Sequence, residues 1–373
     1  MKNINDIQSN LRSVLSDDLR LSVYKLKLEF KVPAVTSRNI FQEKTFYYLF
    51  VSDSRGKTGL GECAPLEGLS PETPAQVENM LEELCENVGL WQSYILDEGL
   101  NGFSSVRMAM ETALLDLYNG GVGISFPSKF TLGADKIPIN GLIWMASSDL
   151  MLSQVDYKVK QGYKIVKLKI GSLDFEQEID MLRRIREKYP SHLLEIRLDA
   201  NGAFSHKDVL DKLEKLSEFT IHSIEQPIKP GDIDLLADIC EESLIPVALD
   251  EELIGWESRT DKEYLLERVM PHYIILKPTL CGGFQSATEW SDLAEQFHIG
   301  WWATSALESN IGLSAIAQWV YVQQNPMVHG LGTGQLFTEN IVTPVVLEDT
   351  FICWKPGLKP DYSIIYEKGE RLL

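Results

Sequence analysis

From about residue 137 the chain alternates strand-like and helix-like segments without interruption, and that alternation restricts what it can fold into. The strand candidates are PINGLIWM (138–145), KIVKLKIG (164–171), LLEIRLDA (193–200), TIHSIE (220–225), IPVALD (245–250), HYIILKP (272–278), IGWWATS (299–305) and a short HGLGTG (329–334). Amphipathic stretches such as DFEQEIDMLRRIREKY (174–189) separate them. Strands alternating with helices in this way build a parallel sheet. Eight such repeats in about 200 residues predict an α/β fold of the (β/α)8-barrel type, with its active site at the C-terminal strand ends. The competing doubly wound sheet would have fewer strands and a phosphate loop after the first, and no GxGxxG occurs.

The first third reads as α+β. Leu26, Leu28 and Phe30 alternate with Lys25, Lys27 and Glu29, the pattern of a half-buried strand. TFYYLFV (45–51) is a second strand, and the glycines of RGKTGLGE turn the chain after it. Two helices follow, one on Val77, Met80, Leu81 and Leu84, the other on Val106, Ala109, Met110, Ala113, Leu114 and Leu117 behind a Ser104–Ser105 start. Residues 1–130 are therefore expected to form an α+β capping domain and 131–340 the barrel with the active site. The last segment, 341–373, returns to strand-like IVTPVVL and FICW and is expected to pack back on the cap.

Composition removes several function classes. The formal net charge of -19 comes with no basic stripe, so nucleic acid is not an expected partner. No run approaches the roughly 18 apolar residues that spanning a bilayer requires, and MKNINDIQSNLRSVLSDD lacks the apolar centre of a signal peptide. The five cysteines (Cys63, Cys85, Cys240, Cys281, Cys353) are odd in number and lack CxxC spacing, as in a reducing compartment without a zinc site. A cytoplasmic protein with no membrane partner is expected.

Five consecutive strand candidates close on charge: Lys167 and Lys169, Asp199, Glu225, Asp250, and Lys277. Side chains alternate across a strand, so Val166, Leu168 and Ile170 share one face and Lys167 and Lys169 the other. By the same parity Glu195, Arg197 and Asp199 point inward, Glu225 goes with Ser223, Asp250 with Ala248 and Lys277 with Ile275. A barrel's outer face is covered by helices, so all these charges reach one cavity. An acid after a single strand is ordinary as a helix cap, and Glu251 and Glu252 crowd the turn at Asp250.

Three carboxylates brought together repel unless a cation joins them. Oxygen ligands alone suit a hard ion, Mg2+ first with Mn2+ as substitute. A free lysine titrates near 10.4, so a neutral-pH base needs that value lowered by about 3. The like charge of Lys167 two residues from Lys169, and the metal, are expected to supply the shift. Two amines beside a metal-bound carboxylate suit removal of a proton α to that carboxylate, with cations stabilising the ene-diolate. The expected partner is thus a small carboxylated substrate.

KxK, DAN, EQP, DE and KP in this order resemble the enolase superfamily, in its muconate-cycloisomerase branch. The similarity spans nearly the whole chain and includes a cap helix like SSVRMAMETALLDL. KPTLCGG, SALESNIG (305–312) and LGTGQLF (331–337) narrow it to members that dehydrate a cyclohexadiene carboxylate bearing a succinyl group, a menaquinone-synthesis step. The resemblance implies Asp199, Glu225 and Asp250 as metal ligands and Lys169 as the group that takes the α-proton and then protonates the leaving hydroxyl. It implies Lys277 as the cation or second acid/base opposite, Lys167 as a tuning group, and Arg197, Asn201, Ser305 and Gly332 as substrate-binding positions.

Other members of that branch epimerise dipeptides or racemise N-acylamino acids with the same lysines. Dipeptide epimerases carry an acidic DxD at the eighth strand, where this chain has GTG (332–334), which argues against an aminated substrate. Racemisation of an N-succinylamino acid remains the alternative, and a catalytically silent barrel would lack one of the six charged positions present here. GECAPLEGLSPET (61–73) and VPAVTSRN (32–39) are expected as cap loops that close over the substrate. Association into a homo-oligomer is expected only by analogy with other barrel enzymes.

Overall fold

A computed structural model describes residues 3–16, 18–35 and 40–373. Positions 36–39 of the expected VPAVTSRN loop therefore lie outside the described residues. Three strands follow a first helix, β1 (Leu19–Val35), β2 (Ile40–Asp53) and β3 (Thr58–Cys63), pairing antiparallel as a meander. One sheet face (Val23, Tyr47, Leu49, Val51) packs on the helices Ile4–Leu15, Pro74–Glu86 and Ser104–Tyr118. The other face (Leu26, Leu28, Phe46, Tyr48) forms a second core with Leu280, Ala306, Leu307 and Phe337 of the C-terminal half. Both faces are buried, so TFYYLFV is apolar throughout rather than alternating. The helix Ile4–Leu15 was not foreseen; Ile7, Leu11 and Val14 give it one buried stripe, and the Asn3 side chain caps it.

The helix Ser104–Tyr118 is buried nearly all round, and it approaches β3 closely because β3 carries glycines. A Cβ at Gly61 would lie 1.9 Å from the Ala109 carbonyl oxygen. Gly61→Ala is expected to cost at least about 3 kcal/mol in urea unfolding, the upper end of overpacking penalties. Gly89→Ala, whose added methyl meets nothing within 4 Å, should leave the midpoint nearly unchanged.

The next strands are β4 (Lys136–Pro138), β5 (Gly141–Ile143), β6 (Ile165–Lys169), β7 (Glu195–Asp199), β8 (Ser223–Glu225), β9 (Val247–Leu249), β10 (Tyr273–Leu276) and β11 (Gly300–Ala303). β5 to β11 form a seven-stranded parallel sheet in sequential order, each strand followed by a helix on its outer side. Val166, Leu168, Ile196, Leu198, Ile224, Val247, Leu249, Ile274 and Leu276 point outward into the main core. Ala248, Ile275 and Trp302 form a separate small cluster with Tyr273 and Met327, which is the inside of the curled sheet. The result is an α/β barrel-type fold with a capping domain. HGLGTG is not a regular strand: His329 bridges Ile139, and Gly330 bridges Thr304. Residues 329–330 thus hydrogen-bond to both edges of the sheet, Asn140 NH to the His329 carbonyl and Gly330 NH to the Ala303 carbonyl. Three glycines and threonine in six residues offer little side-chain packing to lengthen that contact.

Near the C-terminus β12 (Val345–Glu348) pairs with β13 (Phe351–Trp354), which pairs in turn with β4, while β14 (Glu370–Arg371) pairs with β1. All five cysteines are free. Among the described residues no helix is long and apolar enough to cross a membrane.

Two buried glutamates fasten the cap to the barrel. Glu111, on the helix Ser104–Tyr118, accepts from the amides of Phe284 and Gln285 at the start of the helix Gly283–Gln296. Glu62 on β3 accepts from the Ser309 amide at 2.9 Å, the Gly312 amide at 3.1 Å and the Ser309 hydroxyl, where the helix Asn310–Gln323 begins. A helix start leaves amide donors unpaired and carries positive partial charge, so each carboxylate meets both needs. Burial nevertheless pushes both carboxyls up, to about 7. The contact explains the last glycine of KPTLCGG: a Cβ on Gly283 would sit 2.6 Å from Glu111 Oε2.

Candidate active site

The register of the parallel strands sets the charged residues side by side. Lys169 is level with Asp199, and Asp199 with Glu225. Level with Glu225 on β9 is Ala248, and level with Ala248 on β10 is Tyr273. Asp250 and Lys277 therefore stand further along their strands, the stagger produced by strands tilted around a barrel. The lysine amines span that stagger. Lys167 Nζ lies 2.8 Å from Asp199 and 2.6 Å from Glu225; Lys169 Nζ lies 3.3 Å from Asp199; Lys277 pairs with Asp250. All six sequence-predicted catalytic and metal-binding residues thus cluster at the strand ends in two ion-paired groups, Lys167 and Lys169 with Asp199 and Glu225, and Lys277 with Asp250.

The like-charge lowering expected at Lys167 is outweighed there by facing acids, and Lys277 is raised in the same way. Burial pulls both down, but Asp199 and Glu225 around Lys167, and Asp250 and Glu225 around Lys277, outweigh it and hold both amines protonated. Asp199 is held well below the usual carboxylate range: burial raises it, and Lys167 and Lys169 more than compensate. Glu225 goes the other way, raised by burial and then by the charge of Asp199.

Among the described residues no three His, Cys, Asp or Glu side chains are arranged about one point as a metal centre. The donor chemistry still fits a hard divalent cation. Asp199, Glu225 and Asp250 offer oxygen only, and the repulsion that raises Glu225 is what a cation would relieve. Beside them Glu251 is raised by burial and by Asp250, and its buried Oε2 has no hydrogen-bond partner.

A cavity of about 110 Å³ opens over the cluster, walled by Lys167, Lys169, Lys277, Asp199, Asn201, Glu251, Asn140, Thr304, Ser305, Gly330, Gly332 and Thr333. Phe41, Leu66, Leu69, Leu142, Trp144, Ala306 and Leu307 give it an apolar side. Asn201 links the two regions, accepting from Lys169 Nζ at 2.6 Å and donating to Glu251 at 2.9 Å. Its backbone, at φ 43°, is the left-handed conformation asparagine tolerates. Ser305 and Gly332 line the cavity, but Arg197 does not. Arg197 sits two residues, about 7 Å, below Asp199 along the strand. There it stacks 4.4 Å from the Trp302 ring and bonds Glu195 and the Val328 carbonyl, closing the floor of the barrel. Sequence reasoning missed Glu251, read only as a crowded turn, and the wall residues Asn140, Trp144 and Thr304. Inward parity from Trp302 would have pointed to Thr304.

Comparison with known proteins identifies the family. The family model described as "Enolase C-terminal domain-like" matches residues 150–358. An o-succinylbenzoate synthase of Desulfotalea psychrophila (strain LSv54 / DSM 12343) is 40% identical over 361 residues, covering 88% of this chain and 97% of that one. The chain belongs to the o-succinylbenzoate synthase family of the enolase superfamily. The crystal structure of MenC from Desulfotalea psychrophila LSv54 superposes on this family member with a TM-score of 0.82 at 37% identity, covering 90% of this chain and 99% of that one. A dipeptide epimerase from Enterococcus faecalis V583, complexed with Mg and L-Leu-L-Tyr, has a TM-score of 0.80 at 20% identity, covering 91% and 97%, and shares the fold.

Proposed function

We propose that this chain is an o-succinylbenzoate synthase, a hydro-lyase that dehydrates 2-succinyl-6-hydroxy-2,4-cyclohexadiene-1-carboxylate in cytoplasmic menaquinone synthesis. The observation that carries the reading is Lys169 and Lys277 entering one cavity from well-separated strands, with Asp199, Glu225 and Asp250 between them. In this reading residues 329–330 act as the eighth stave of a (β/α)8 barrel, bonded to both sheet edges.

Lys169, as the neutral amine, takes the proton on the ring carbon bearing the carboxylate, and the carbon–hydrogen electron pair moves into an ene-diolate. Those electrons then form the ring double bond as the carbon–oxygen bond breaks, and the ammonium of Lys169 returns its proton to the departing hydroxyl. Water and an aromatic product result, with no oxidant or reductant needed. Lys277 remains protonated and faces the developing negative charge, in keeping with the acids that hold its proton. Asn201, bonded to Lys169, sets the direction of its amine. Asp199, Glu225 and Asp250 would hold a divalent cation, Mg2+ first and Mn2+ as substitute, which when bound supplies electrostatic stabilisation to the substrate carboxylate.

The test is to follow aromatic absorbance with the cyclohexadiene substrate and optical rotation with N-succinylamino acids, both with Mg2+. Dehydration at the background rate would end the synthase reading. Racemisation alone would replace it with the alternative that the same lysine pair suits.

A further inference from the structure

Lys44 is a lysine of the capping sheet whose side chain is only 5% exposed. Its Nζ donates to the carbonyl oxygens of Ala306 at 2.7 Å and Leu307 at 3.1 Å, both on the cavity wall. Burying an ammonium is costly, and an apolar residue of similar size would usually be the more stabilising choice at such a place. Burial draws this amine down to about 8, with Glu308 and Glu62 pulling it back up. The cost has a visible return at its two carbonyls.

Those carbonyls belong to a turn that does not hold its shape unaided. Leu307 has φ 62°, a left-handed conformation that leucine rarely adopts, so the surroundings must fix it. Glu308 accepts from the Ala306 amide at 2.7 Å and from the hydroxyls of Ser305 and Thr279, tying the turn to the loop after Lys277. Glu62 holds the following amides. The acids thus take the donors of the turn, and Lys44 takes acceptors.

We infer that Lys44 is a positioning residue, by which the cap holds the Ser305–Leu307 wall of the cavity in its strained, substrate-facing shape. The inference rests on the cavity being the substrate site proposed above. Lacking the amine, Leu307 relaxes toward ordinary backbone and the wall shifts, so binding suffers before chemistry does.

The test compares Lys44→Met, Lys44→Gln and Lys44→Arg with the parent enzyme, below the melting temperature of each. Hydrogen exchange is read on peptides covering residues 303–311 and on strand peptides, and KM and kcat with the cyclohexadiene carboxylate. Lys44→Met should speed exchange in 303–311 at least tenfold with the strands unchanged, and raise KM tenfold or more while kcat stays within about threefold. Lys44→Arg should restore most of both. Parent-like exchange and KM in folded Lys44→Met would overturn the proposal, as would loss confined to melting temperature. Should Lys44→Met not fold, Lys44→Gln, whose amide nitrogen stops one bond short of the lysine Nζ position, carries the same comparison; parent-like values there count equally against it. The exchange arm needs no turnover, so it separates an error about Lys44 from an error about the substrate.

Discussion

Lys169→Ala should lower kcat at least about 1,000-fold while leaving the far-ultraviolet spectrum and melting temperature near those of the parent. A positioned general acid–base group contributes roughly 10²–10⁴ in rate, and Lys169 is asked to act twice, on the α-proton and on the hydroxyl. The side chain is partly buried, and its bonds run to Asp199 and Asn201. Removal therefore frees polar partners within a water-accessible cavity rather than emptying a dry core. Lys169→Arg should be nearly as inactive, because a guanidinium does not give up its proton at working pH. A Lys169→Ala enzyme retaining a tenth of parental turnover would sink the proposed mechanism.

Chelation should have a comparable effect. Dialysis against EDTA is expected to reduce dehydration at least about 100-fold, with recovery on adding Mg2+ and also on adding Mn2+. Asp199, Glu225 and Asp250 offer oxygen ligands only, and a bound cation would relieve the crowding with Asp199 that helps to raise Glu225. Bound cation should accordingly raise the melting temperature as well, since a ligand of the native state stabilises it by mass action. Asp250→Asn should need more Mg2+ for half-maximal activity. Full turnover in chelated protein, with no thermal shift on adding the metal, would exclude the proposed site.

Much of this was legible because period-two alternation is local. Outward Val166 and Leu168 and inward Lys167 and Lys169 are separated by neighbours alone, and the register of one strand on the next aligns Lys169, Asp199 and Glu225. What depends on partners far along the chain was not legible. Lys44 looks like the polar start of an apolar strand until its bonds to residues 306 and 307 are seen. Glu111 and Glu308 sit in motifs that sequence reading could use only for resemblance, and Glu62 in a stretch read as a cap loop, although each holds a turn or a helix start. Lys167 is raised where a like charge was expected to lower it, because spacing along one strand reveals a like charge nearby but not the opposing acid on the next. Arg197 had the right parity and the wrong height, since parity gives a face and not a depth.

The two glutamates that join cap to barrel also bear on how such enzymes can be recombined. Specificity in a two-part enzyme is often sought by transplanting the part that carries the loops. Here a transplanted cap brings more than its loops: without carboxylates at the positions of Glu62 and Glu111, two barrel helices would begin with bare amide groups, and Gly283 would face a gap. Successful chimeras should therefore be those whose donor cap already carries both acids, whatever its loop sequences.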